Sequence, residues 1–409
     1  MKNNLLSNYI GKDKNKLKSK SIFIWSSSFL PNIGGLQSSV MNISKYLISN
    51  GWSLKIITNK YPITLKSHES INNIEIFRLY FLNNPKEYLR NWRVDLLVAW
   101  LIVKPITIIK LFLYFRRYSP KIVNLHFPDN QLTECLILKY FFEFKLIISM
   151  HGNDVEKLSK IKRGSIKFRI YNKLFKSTEL VTVCSNYLIE KLENIPHKIS
   201  CKKLLFYNGI NKNFIQSDLH LSKNDHFFFV GRSVPIKGFD LLLKAFKTLE
   251  GHELLIGGFN ELKDLKVNDH IFNQIKFLGK IGPKRISELM SVAKVTVVPS
   301  RNDSFGIVVA EALCSGSPVI ATNVGGIPEV IDLAKSDLNK NEKLIFDNFV
   351  KLVDPNSDSI REGIRNLIDN YINIKDYIDI IPKIRIQFDW GKRMQGLTTV
   401  LNELNNRES

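Results

Sequence analysis

Several small, cationic and acidic residues of this 409-residue chain stand where an apolar run gives way to a helical period. PNIGG, at 31–35, sets Gly34 and Gly35 at the start of a helix. Backbone amides there can approach a phosphate closely, with the positive end of the helix dipole behind them. A glycine turn serving geometry alone is the alternative. FFFVGRSVPIKGFD, at 227–240, puts Gly231 and Arg232 at a strand end and Lys237 before the next helix. Two fixed cations beside a diphosphate would neutralise the charge that grows on a departing group, in place of a metal ion; ordinary solvated cations are the plain alternative.

The segment from Val297 to Ile331, VVPSRNDSFGIVVAEALCSGSPVIATNVGGIPEVI, is the most informative. A strand ends at Pro299, a polar loop carries Asp303 and Ser304, and Phe305-Gly306 opens a helix with Glu311 in its second turn. Amides at such an opening suit an anion or sugar hydroxyls, and a carboxylate can grip a ribose diol with two hydrogen bonds. The alternative is that Asp303 caps the helix and Glu311 is surface charge. Gly325-Gly326 followed by Pro328-Glu329 reads as a structural helix start. SMHGND, at 149–154, puts His151, Gly152 and Asp154 after another apolar run, where an imidazole can bond a sugar or assist proton transfer.

The elements that must position these residues follow from periodicity. Short runs rich in Ile, Val, Leu and Phe alternate with longer helical segments, the pattern of parallel sheets covered by helices. Strands are predicted at SIFIW, SLKII, IEIFRL, KIVNL, KLIIS, LVTV and KLLFY, and the alternation restarts with HFFFV, ELLI, IKFLG, KVTVV and PVIA. Leu36, Val40, Ile43 and Leu47 mark one face of the first helix, ended by Asn50-Gly51. The chain is too long for one core, so two α/β domains are expected, 1–210 and 211–385, with a polar hinge starting at Asn208-Gly209. Open α/β sheets bind ligands at the carboxyl ends of their strands, so two facing sheets place a site in the cleft between them.

The net charge of +21 points to an anionic partner: nucleic acid, an acidic membrane face or a phosphorylated substrate. No aromatic RNP motif, zinc finger or basic helix-turn-helix is evident, so nucleic acid is not expected. The basic run at 12–20 reads as a solvated tail. Four cysteines far apart, without ligand-like spacing, suggest neither disulfides nor zinc and fit a reducing compartment. The N-terminus lacks a signal-peptide pattern, so the chain is expected in the cytoplasm. Residues 96–115 approach the length of a bilayer span, but Lys104, Pro105 and Lys110 interrupt them. A helix packed on a sheet with an exposed apolar edge is the reading; contact with a membrane surface is the alternative.

Taken together, PNIGG, HGND, YNGI, VGR with KGFD, LIGG, FLG, the long 297–331 segment and the late FDW resemble the retaining glycosyltransferase family 4, the group 1 glycosyltransferases of GT-B fold. The resemblance spans nearly the whole chain and implies two Rossmann-like domains facing across a cleft, with the segment from 386 to 409 crossing back to the first. It implies that Gly35 lies near the donor phosphates, Arg232 and Lys237 bind the diphosphate, Glu311 holds the ribose, His151 faces the transferred sugar, and Phe305 and Gly306 line the donor pocket. Gly34, Asp154, Gly231 and Ser304 complete the donor-binding set, and His151, Asp303, Arg232 and Lys237 the catalytic one. The family usually carries two glutamates at the positions of Asp303 and Glu311, so the shorter Asp303 carboxylate reaches about 1.5 Å less far. The implied reaction is metal-independent, needs no cofactor, and moves a sugar from a UDP- or GDP-sugar to a saccharide or lipid-linked saccharide, the latter at an anionic cytoplasmic leaflet. A sugar-nucleotide epimerase on the same fold and a non-catalytic basic binding protein are the rival readings.

Overall fold

A computed structural model describes residues 20–31, 34–82, 85, 92–247, 249, 251–259, 274–369 and 374–407. The basic run at 12–20 therefore lies outside the described residues except for Lys20, as do Asn32 and Ile33 of the PNIGG loop.

The first sheet contains β1 (Ser21–Ser26), β2 (Ser53–Asn59), β3 (His68–Ile71), β4 (Ile74–Leu79), β5 (Ile122–His126), β6 (Lys145–Met150), β7 (Leu180–Val183) and β8 (Lys202–Leu205). Their order is β3-β4-β2-β1-β5-β6-β7-β8, and all pairs are parallel except β3 with β4. The second sheet contains β9 (His226–Val230), β10 (Glu253–Gly257), β11 (Ile275–Phe277), β12 (Val295–Val298), β13 (Val319–Thr322) and β14 (Val350–Val353). Its order is β11-β10-β9-β12-β13-β14, all parallel. Both faces of each sheet are covered by helices, which is why central strands such as IFIW and FFFV are apolar without alternation.

In both sheets the strand order reverses beside the first strand, between β1 and β5 and between β9 and β12. At such a point the neighbouring crossover helices lie on opposite faces and leave a crevice at the carboxyl ends. The loops after β1, β5, β9 and β12 therefore open into it.

Two strands escape the sequence reading. β3 is a four-residue edge strand, half-exposed, turned back onto β4 through Asn72-Asn73, both of which take positive φ. β14, VKLV, has one polar residue in four and too little length for a periodic signal.

Two chain segments cross at the waist. Ile210 N–H donates to the Phe388 carbonyl at 2.9 Å. A Cβ at Gly209 would stand 2.6 Å from the Trp390 ring, so only glycine lets the strands of the waist meet. Beyond it the helix Trp390–Asn406 sends Met394, Leu397, Leu401 and Leu404 into the same cluster as Val40, Ile43 and Leu47 of the helix Gly35–Ser49.

Candidate active site

The register brings the polar strand ends together. Ser26 of β1 is level with His126 of β5, His126 with Ser149 of β6, and Ser149 with Thr182 of β7. Ser149 Oγ donates to Asn124 Oδ1 at 2.8 Å and Thr182 Oγ1 to Ser149 Oγ at 2.8 Å. His151 follows directly after β6, and its Nε2 lies 3.0 Å from His126 Nδ1, the two rings stacked at 5.2 Å. Burial holds both imidazoles neutral: His151 falls to about 4, and His126 well below its usual range with the neighbouring His151 adding to the effect.

Asp154 turns away from the cleft. Its carboxylate accepts from the main-chain N–H groups of His151, Gly152 and Val155 at 2.8–3.1 Å. Burial pushes its pKa up to about 6 even though these donors favour the charged form. These bonds shape the loop. That loop meets the second domain, because a Cβ on Gly152, at φ 119°, would collide with Ser304 Oγ.

Across the cleft, Asp303 Oδ1 accepts from Phe305 N–H at 3.3 Å and Gly306 N–H at 2.9 Å, and Oδ2 accepts from Lys237 Nζ at 2.7 Å. Asp303 thus braces the turn before the helix Ile307–Cys314, which has no side-chain cap, and its ion pair partly neutralises Lys237. Arg301 pins the Lys237 loop in place through a bidentate pair with Asp240, at 2.6 and 2.7 Å, and a bond to the Pro235 carbonyl. Arg232 is exposed, and among the described residues its guanidinium makes no hydrogen bond or ion pair. Gly231 packs beside Lys237, its N–H bonded to the Gly257 carbonyl.

The two loops that start helices Ile307–Cys314 and Ile327–Lys335 interlock. Gly326 N–H donates to the Asp303 carbonyl at 2.9 Å, and a side chain at Gly325, φ 60°, would strike the same carbonyl. Gly35 comes from the opposite domain to this point: its Cβ would lie 3.0 Å from Ile307 Cδ1. Gly34 has φ 177°, extended backbone open to any residue, so close approach at Gly35 is what constrains the pair. Phe305 is buried against Tyr207, ring centroids 6.1 Å apart. Glu311 has no protein hydrogen-bond partner among the described residues, and burial pushes its pKa up to about 8.

Three contributors went unrecognised in the sequence. His126 ends KIVNLH, a polar residue at a strand end, the same signal that marks His151. Ser185 donates to the Ser304 carbonyl at 2.6 Å. Glu329 crosses between domains: Oε2 accepts from Asn186 N–H at 2.7 Å and Oε1 from Tyr187 N–H at 2.8 Å, with Tyr207 Oη at 3.3 Å.

The family model described as "Glycosyl transferases group 1" matches residues 211–383, and that described as "Glycosyltransferase Family 4" matches 33–214. An uncharacterized glycosyltransferase of Methanocaldococcus jannaschii is 26% identical over 291 residues, 70% of this chain and 76% of its own. Sucrose-phosphate synthase from Thermosynechococcus elongatus superposes with a TM-score of 0.73 at 18% identity, covering 94% of this chain and 99% of that one. Anabaena HepE in complex with UDP-glucose does so with 0.67 at 16%, covering 94% and 99%. With a doubly wound sheet on each side of the crevice and the two matches following one another from residue 33 to residue 383, the chain belongs to the group 1, family 4 glycosyltransferases of GT-B fold.

Proposed function

We propose that the enzyme transfers a sugar from a nucleotide-sugar, a UDP- or GDP-sugar, to a saccharide or lipid-linked saccharide acceptor, with retained configuration, in the building of cell-surface polysaccharide. The observation that carries this is a set of groups after β9 and β12, on the second domain's wall of the crevice: Arg232, the Lys237–Asp303 pair and the carboxyl of Glu311, with Arg232 and Glu311 lacking protein partners among the described residues. A nucleoside diphosphate matches that array: guanidinium and ammonium for the phosphates, carboxylate for the ribose diol. The binding of UDP-glucose by HepE supports the same donor class.

The anomeric carbon–phosphate oxygen bond breaks, and its electron pair stays on the diphosphate. The acceptor oxygen forms the new bond from the same face and gives its proton to the departing phosphate oxygen. Arg232 and Lys237 stabilise the charge that grows there, so protein cations stand where a metal ion would otherwise be needed. His151, neutral through burial, hydrogen-bonds the sugar. The four cysteines, all free and three of them buried, support residence in the reducing cytoplasm.

A thermal-shift screen against nucleotide-sugars identifies the donor, since a ligand that binds only the folded state raises Tm. Turnover with that donor is then expected to fall by roughly 100-fold in Arg232→Ala, comparable to loss of one charge-stabilising donor, and to persist in a chelator. Near-normal rates in both Arg232→Ala and Lys237→Ala would overturn the assignment.

A further inference from the structure

The helix Val94–Tyr118 covers the first sheet with one face only. Lys104, Thr107, Leu111 and Phe115 are buried on that face, Lys104 being fixed by a 2.6 Å ion pair to the fully buried Glu134 of the helix Leu132–Phe141. At 100° per residue, Val98, Ile102, Ile106, Ile109 and Leu113 fall on the opposite side, with Val94 and Leu101 toward one flank. All seven are exposed, Leu101, Ile102 and Ile109 at 58% each. The outward stripe of a covering helix is ordinarily polar; this one is apolar for five turns, roughly 28 Å at 1.5 Å per residue.

The rim of the stripe identifies what covers it. Arg93 precedes it, Lys110 and Arg117 lie along one flank, and Arg116 stands at its end. Asp95 is the sole acid of the helix and is bound by Arg93. Aromatic side chains mark both ends: Trp92, 87% exposed, at the start, and Tyr140 and Phe141 beside Phe112 near the finish. An apolar strip bordered by cations and aromatic rings matches the layered chemistry of an anionic bilayer surface, acyl chains inside and phosphate headgroups outside. A second copy of this chain would set one +21 molecule against another.

We infer that the helix Val94–Tyr118 docks in the plane of an anionic membrane, its apolar stripe among the upper acyl chains and Arg93, Lys110, Arg116 and Arg117 at the headgroups. It does not cross the bilayer, since its other face is the cover of the sheet. Thr107 Oγ1 donates to the Tyr80 carbonyl just past β4, so the part of the helix that precedes Thr107 reaches beyond the carboxyl end of the sheet, the edge that faces the cleft, and its Trp92 end brings the mouth of the cleft to the headgroup layer. This deepens the proposed reaction by selecting a lipid-anchored acceptor; the docking itself is independent of it and is measured without turnover.

The test is flotation of the full chain with vesicles of phosphatidylcholine alone or mixed 7:3 with phosphatidylglycerol. Wild type is expected to float with the anionic vesicles at least tenfold more than with neutral ones. Ile102→Glu/Ile109→Glu, whose side chains touch no core, is expected to lose at least tenfold of that binding at unchanged Tm. Should the double variant fold poorly, Trp quenching by brominated lipid in wild type, diminished in Trp92→Phe, reports insertion directly. Wild type that stays in the dense fraction, a folded double variant that floats equally well, or a wild-type dimer that the variant turns into monomer overturns the docking. If docking holds while every lipid-linked saccharide is refused as acceptor, the choice of a lipid-anchored acceptor fails and the surface stands.

Discussion

Glu311 and His126 carry chemistry that depends on a single proton. With its pKa at about 8, Glu311 is largely protonated at neutral pH, whereas gripping a diol through two accepted hydrogen bonds needs the carboxylate. Nucleotide binding should therefore release a proton and tighten as pH rises from 7 to 8, levelling off above. Calorimetry in buffers of different ionisation enthalpy measures the release, and Glu311→Gln should abolish it while weakening binding by roughly tenfold, the scale of a hydrogen bond to a charged group. The stability effect runs the same way from the other side. A carboxyl with a raised folded pKa makes the native state bind more protons than the unfolded chain between about pH 4.5 and 8, so stability declines through that window and Glu311→Gln should be the more stable protein above it. His126 fixes a tautomer. Both imidazoles are neutral, so one nitrogen of the 3.0 Å pair donates and the other accepts. Among the described residues, the buried His126 Nε2 has no partner, and a bare lone pair there costs less than an orphaned N–H. His126 therefore donates from Nδ1, and His151 keeps its proton on Nδ1. Nitrogen-15 shifts should report that tautomer, and His126→Phe should lower kcat by roughly tenfold or more with little change in donor KM, whereas His126→Asn, which retains a donor, should recover part of the loss.

At the scale of elements, the Glu329 clasp joins the start of one helix to the start of another. Its carboxylate accepts from the first two N–H groups of the helix Asn186–Glu193, which have no partner within their own helix. Ser185 and Tyr187 add bonds to the Ser304 carbonyl and to Asn302 Oδ1, so the clasp holds the Asp303–Gly306 loop as well. Glu329→Ala should lower kcat/KM by about an order of magnitude, since misplacing a positioned group is that costly, while Tm changes little because the substitution removes polar bonds and leaves the apolar core intact. A large Tm loss with unchanged kinetics would make Glu329 a structural cap only. The sequence reading reached half of this. Proline and glutamate at 328–329 correctly signal a helix start, but nothing in a local pattern says that the carboxylate will find its amides 142 and 143 residues away. The same limit explains the other gaps. Long buried strands and glycine loops are local signals and were legible. Asp154 and Asp303 stand at positions that look free to bind a ligand, and only the turn geometry reveals that the Asp154 carboxylate and Asp303 Oδ1 accept from neighbouring N–H groups. The helix at 94–118 was legible as apolar, but which face of it is covered depends on Glu134, 30 residues beyond Lys104.

For the whole molecule, the waist decides how the two sheets face one another. Gly209 and Trp390 lie in the two crossing segments, and the ring occupies the place where a side chain at 209 would be, 2.6 Å away. Trp390 also leads into the helix whose Met394, Leu397 and Leu401 pack on the Gly35–Ser49 helix, so a shift of the ring moves the scaffold beneath Gly35. Gly209→Ala should cost about 1–3 kcal/mol, the usual cost of overpacking a full site, and lower activity more than heat stability alone predicts, because Gly35 approaches Ile307 across the cleft so closely that a Cβ there would stand 3.0 Å from it. Trp390→Ala should cost stability by emptying the same space. Made together, the two changes should be less harmful than their sum, with a coupling of about 0.5–3 kcal/mol as for residues in direct contact. Thermal unfolding and kcat/KM of the four proteins of this cycle measure it. Strict additivity in both would mean that the glycine serves the backbone of the Asn208-Gly209 turn and that cleft geometry is set elsewhere.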